Sequence, residues 1–122
     1  MKKILIVEDE TTLSNVLKNR FEEIDWQVTI AGDGEAAIAA IKNEKFNLVL
    51  LDLIMPKKDG FEVLEEIRSE PEFKELPILV LSNLGADEDI KKALNLGATD
   101  YFVKTQHPVS EIILKAETYG PK

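Results

Sequence analysis

At 122 residues, 44% hydrophobic and 31% charged, the chain has the composition of one soluble globular domain spanning 1–122, with too little length for a second core. Twenty-three Asp and Glu against 15 Lys and Arg give a net charge of -8, which opposes neutralising a phosphate backbone, so direct nucleic-acid binding is not expected. The absence of cysteine excludes disulfides, thiolate metal sites and cysteine nucleophiles, and makes a reducing cytoplasm the simplest compartment.

The chain opens on MKKILIVEDE, where acidic residues follow a short apolar run at once and no small-residue cleavage site appears. It reads as a strand over 4–7, not a secretory leader. Glu8 and Asp9 follow directly. Leu13, Val16, Leu17, Phe21 and Ile24 then recur at helical spacing, and Trp26 at the next junction reads as packing. A second strand, VTIA at 28–31, leads to Asp33, a candidate helix N-cap before Gly34 and the stripe Ala37, Ile38, Ile41.

The third apolar run, NLVLL at 47–51, ends on Asp52. The surrounding LVLLDLIM is the longest apolar stretch, far short of the ~20 residues that span a bilayer, so no membrane segment is expected. Asp59 before Gly60 is a second candidate N-cap, for a helix carrying Val63, Leu64 and Ile67. A fourth strand, PILVLS at 77–82, closes on Ser82, and a helix with Ile90, Ala93 and Leu94 follows. Gly97 stands where a helix end favours a left-handed residue. The fifth strand, DYFV at 100–103, closes on Lys104. His107, the single histidine, precedes Pro108 and reads as a cap or solvated residue at the start of the last helix, which carries Val109, Ile112, Ile113 and Ala116.

Five continuous apolar runs alternating with five amphipathic segments predict a parallel sheet covered on both faces, with right-handed crossovers. In such a sheet the functional groups gather at the carboxyl ends of the strands. Glu8, Asp9 and Asp52 therefore converge, and a divalent cation bound by carboxylate oxygens and water, such as Mg²⁺, is one way to relieve their repulsion. Spacing alone also allows each acid to be an unrelated loop residue or cap. Ser82 and Lys104 reach the same edge, and their conjunction with three acids favours a phosphate site.

The segments VED at 7–9, LLDLIMP at 50–56, DGFEVL at 59–64, VLS at 80–82 and LGATDYFVK at 96–104 together resemble the response-regulator receiver domains of two-component signalling. The resemblance implies a flavodoxin-like doubly wound sheet of order 2-1-3-4-5 with five helices. It implies Asp52 as phosphoacceptor and Mg²⁺ or Mn²⁺ held by Asp9, Asp52 and the Ile54 backbone carbonyl, with Glu8 acting through water. Lys104 and Ser82 would contact the phosphoryl group, and Ser82 and Tyr101 would form a switch toward the face of helix 4, strand 5 and helix 5. It further implies a sensor histidine kinase or histidine phosphotransfer protein as donor, a downstream protein effector, and no enzyme activity beyond the domain's own phosphorylation and dephosphorylation. A pseudo-receiver that takes no phosphate and an aspartyl-phosphate hydrolase are the competing readings.

Two positions depart from the family pattern. Thr105 stands where proline commonly follows the lysine through a cis bond, and because a non-proline cis bond costs about 2.5–4 kcal/mol a trans peptide with a rebuilt loop is expected. Lys58 replaces a common methionine and adds positive charge beside the site, on the expectation of a solvated loop.

Overall fold

A computed structural model describes residues 2–119; Met1 and residues 120–122, the last of the terminal TYGPK, lie outside the described residues. Five strands, β1 (Lys3–Val7), β2 (Gln27–Ala31), β3 (Leu48–Leu51), β4 (Ile78–Ser82) and β5 (Asp100–Val103), pair in parallel in the order β2-β1-β3-β4-β5. Between and after them lie α1 (Thr11–Glu23), α2 (Gly34–Asn43), α3 (Gly60–Arg68), α4 (Asp87–Asn95) and α5 (Val109–Glu117), with one 3-10 turn at Pro71–Phe73. This is the expected flavodoxin-like topology, with strand limits within a residue of the apolar runs.

The runs are continuous because alternate residues of each central strand enter different cores. Leu5, Val7, Val49, Leu51, Ile78 and Val80 pack beneath α2, α3 and α4. Ile4, Ile6, Leu48, Leu50, Leu79 and Leu81 pack beneath α1 and α5. With both faces covered, a charged side chain on these strands would sit in apolar surroundings, so the charges cluster where the strands end.

The two aspartate caps form as expected. Asp33 Oδ1 accepts from the Ala36 amide at 2.8 Å, and Asp59 Oδ1 accepts from Glu62 N at 2.9 Å while the Glu62 side chain accepts from Asp59 N. Gly97 takes φ 111° just after α4, a conformation that a Cβ would strain. Its carbonyl accepts from Arg68 Nε at 2.9 Å, tying α3 to the α4–β5 connection. Trp26 is buried edge-on against Phe21 with ring centroids 5.7 Å apart, as packing requires.

The helical stripes needed correction at two places. Val16 and Leu94 are each 43% exposed. Leu13, Leu17 and Phe21 already form the α1 contact line at i, i+4 and i+8, which leaves Val16 on its flank. In α4 the small Ala93 is the buried contact and turns Leu94 outward.

Candidate functional site

The parallel register assembles the site. Val7 pairs with Leu51, so the next residues, Glu8 and Asp52, leave adjacent strands side by side. Ser82 pairs with Val103 one strand further along, which sets Lys104 just past β5. Carboxylate oxygens of Glu8, Asp9 and Asp52 lie within 4.8 Å of one another. Glu8 and Asp52 are buried at 4% and 5% exposure, whereas Asp9 is open to solvent at the mouth.

Lys104 is the cation of this cluster. Its Nζ lies 2.6 Å from Glu8 Oε1 and 3.0 Å from Asp52 Oδ2. The remaining oxygens find backbone donors, Glu10 N to Glu8 Oε2 at 3.0 Å and Ile54 N to Asp52 Oδ1 at 3.2 Å. Burial pushes the Glu8 carboxyl above its ordinary value, opposed by the Lys104 and Glu10 hydrogen bonds and reinforced by the nearby charge of Asp52. Burial draws the Lys104 ammonium down, but its bonds to Glu8 and Asp52 outweigh this and leave it raised. Three carboxylates facing one ammonium retain a formal charge of about -2 when ionised, and an all-oxygen donor set of this span suits a hard divalent cation.

A shallow cavity of about 200 Å³ at this cluster is bordered by Glu8, Asp9, Asp52, Ile54 and Lys104, all expected, and by Glu10 and Asn83. The third acid of the VEDE run was the available signal for Glu10, and Asn83 follows Ser82 directly in the chain. Ser82 lies fully buried beneath, its hydroxyl accepting from Leu84 N at 3.3 Å. Tyr101 is half-buried on β5 and donates its hydroxyl to the Leu84 carbonyl; burial pushes its phenol up.

Three expectations concerned the surrounding loops. All peptide bonds among the described residues are trans, so the Lys104–Thr105 bond follows the local penalty, and a turn with Gln106 N donating to Val103 O at 2.9 Å carries the chain onward. Lys58 pairs with α3 and makes no ion pair with the acids among the described residues: its Nζ lies 2.7 Å from Glu66 Oε1. His107 is neither cap nor freely solvated. Pro108 takes the N-cap position, and the imidazole packs edge-on against Phe102 with centroids 5.3 Å apart.

No helix among the described residues is long and apolar enough to cross a membrane. A second cavity, about 470 Å³, lies at the opposite end of the sheet between Phe46, Phe73 and Tyr119 and shares no residue with the acidic cluster.

Comparison with known proteins matches residues 4–116 to the family model of the response regulator receiver domain. Over 107 residues the chain is 43% identical to a probable transcriptional regulator, ycf27, of Cyanophora paradoxa, covering 88% of this chain and 44% of that protein. The chain thus spans less than half of that regulator. Among solved structures, the receiver domain of the Francisella response regulator 1452 superposes with a TM-score of 0.90 at 27% identity, covering 98% of this chain and 96% of that one. The Mn²⁺-bound form of response regulator Rcp1 does so with a TM-score of 0.83 at 32% identity, covering 93% and 88%.

Proposed function

This chain belongs to the response regulator receiver domain family, and from that premise we propose that it is a phosphoacceptor whose Asp52 takes a phosphoryl group in a reaction that requires Mg²⁺ or Mn²⁺. The observation that carries the reading is the single ammonium of Lys104 shared between Glu8 and Asp52 at 2.6 and 3.0 Å, inside a cluster of three carboxylates. A carboxylate oxygen of Asp52 attacks phosphorus, the bond from phosphorus to the donor breaks, and the donor group leaves with that electron pair. Phosphoryl transfer mainly needs alignment and neutralised charge on the transferred oxygens.

Asp9, Asp52 and the Ile54 carbonyl would hold the cation, with Glu8 acting through water; the Mn²⁺-bound Rcp1 relative supports a divalent ion here. When bound, that cation offsets the negative charge of the acids and of the incoming phosphate. Lys104 is already aimed at Asp52 and pairs with a transferred oxygen. The donor is a phosphohistidine of a sensor kinase or phosphotransfer protein, and the output passes to a protein effector, in keeping with the regulators that the chain resembles. A cavity of about 200 Å³ falls below the ~300–1,000 Å³ usual for small-molecule sites, which weighs against a hydrolase with its own substrate.

Incubation with acetyl phosphate and Mg²⁺ is expected to add one phosphoryl mass to the intact chain, and excess chelator to abolish the gain. Equal labelling in chelator would refute the metal requirement. Labelling of neither sample, with the protein folded, would favour the pseudo-receiver.

Signalling is then a shift in a two-state equilibrium. The Ser82 hydroxyl exchanges its Leu84 amide for a phosphoryl oxygen, Tyr101 leaves the Leu84 carbonyl for a more buried position, and the face of α4, β5 and α5 changes. Amide NMR shifts on adding beryllofluoride are expected to extend through residues 86–116. Shifts confined to loops around Asp52 would exclude this route.

A further inference from the structure

We infer that His107 is a positioning residue for Lys104, closing a two-point clasp that fixes where the lysine leaves the sheet. The inference rests on the role proposed for Lys104 at Asp52. β5 is an edge strand, and Lys104 N donates inward to the Ser82 carbonyl at 2.9 Å. By the alternation of a parallel strand, Val103 N therefore faces away from β4, on the side where no strand among the described residues pairs with β5. His107 Nδ1 lies 3.2 Å from that nitrogen, and His107 N donates back to Val103 O at 3.1 Å. One residue thus joins both backbone groups of Val103, with Lys104 inside the closed loop.

The ring's tautomer follows from the same geometry. Nδ1 is also 3.2 Å from Val103 O, but that oxygen already accepts from the amides of Gln106 and His107. Val103 N has Nδ1 as its acceptor. Satisfying both groups makes Nδ1 the unprotonated nitrogen, with the proton on Nε2. The edge-on contact with Phe102, itself buried in the core beneath α1 and α5, holds the ring plane in place. Lys104 has four methylenes and would lose rotamer freedom on its own in reaching two acids; a backbone fixed by Ser82 on one side and His107 on the other limits that freedom to the side chain.

Because the chain has one histidine, imidazole nitrogen NMR reports this ring alone. The parent should display the Nε2–H tautomer and slow exchange of the Val103 amide; an Nδ1–H tautomer overturns the clasp. In His107→Leu the Val103 amide should lose its protection, the Lys104 side-chain resonances should move, and the initial rate of labelling by acetyl phosphate at fixed Mg²⁺ should fall about tenfold. His107→Asn places Oδ1 where Nδ1 stood, and should restore the Val103 protection, the Lys104 resonances and the rate to within about threefold of the parent. A leucine variant matching the parent in Lys104 resonances and rate overturns the inference. So does an asparagine variant that regains Val103 protection while labelling as slowly as leucine. Should the parent take no phosphoryl group, the proposed function fails separately, and the tautomer, the Val103 amide and the Lys104 resonances still decide the clasp.

Discussion

Asp52→Ala should gain no phosphoryl mass under conditions that label the parent fully, and Lys104→Met should label more slowly by about two to three orders of magnitude, the effect expected when a preorganised charge aimed at the reacting group is removed. Methionine keeps an unbranched stem and removes the ammonium, so the loss reports charge and not packing. The variant also separates two roles. In the parent, Lys104 occupies oxygens of Glu8 and Asp52 at 2.6 and 3.0 Å, where it competes with any cation for those carboxylates. Without it, Mn²⁺ affinity measured by calorimetry should hold or rise while labelling falls. Opposite movements identify Lys104 as a partner of the transferred phosphoryl group. A fall in Mn²⁺ affinity as large as the fall in rate would mean that the lysine acts only by keeping the acids in place for the metal.

The acids were legible because their positions depend on one topological fact. Once the five apolar runs are parallel strands, Glu8, Asp52 and Lys104 must emerge at one end, and the register of Val7 with Leu51 supplies the adjacency. The caps at Asp33 and Asp59 were legible for a different reason, since an N-cap is a contact over three residues and carries its own local pattern. Lys58 and His107 were misread because their partners are chosen by tertiary folding. Glu66 lies eight residues beyond Lys58 and meets it only when the loop folds back on α3. The local pattern before Pro108 gave no hint that an unpaired amide on an edge strand would await His107. Val16 and Leu94 fit their helical periods but fall outside the arc that the sheet covers, which depends on the depth at which each helix sits.

The glycines that follow the two capping aspartates hold a constraint that no local pattern reveals, and three alanine substitutions should expose it. A Cβ at Gly34 would stand 2.1 Å from the backbone oxygen of Lys58, and one at Gly60 would stand 2.5 Å from the backbone oxygen of Asp52 and 2.7 Å from Leu53 Cα. A Cβ at Gly32 would meet nothing within 4 Å. Backbone cannot rotate aside as a side chain does, so the first turn of α2 or α3 must move off the β3–α3 loop. Gly34→Ala and Gly60→Ala should each cost about 2–4 kcal/mol in urea denaturation, whereas Gly32→Ala should stay within about 1 kcal/mol of the parent. The two costly variants should then part on function. Gly34 presses on the far side of the loop, at Lys58, while Gly60 presses on the carbonyl of the proposed acceptor itself. At a temperature where both remain folded, Gly60→Ala should lose more of the labelling rate and of the Mn²⁺ affinity than Gly34→Ala. If Gly60→Ala were as stable and as readily labelled as Gly32→Ala, the close approach of α3 to Asp52 would have no part in shaping the site.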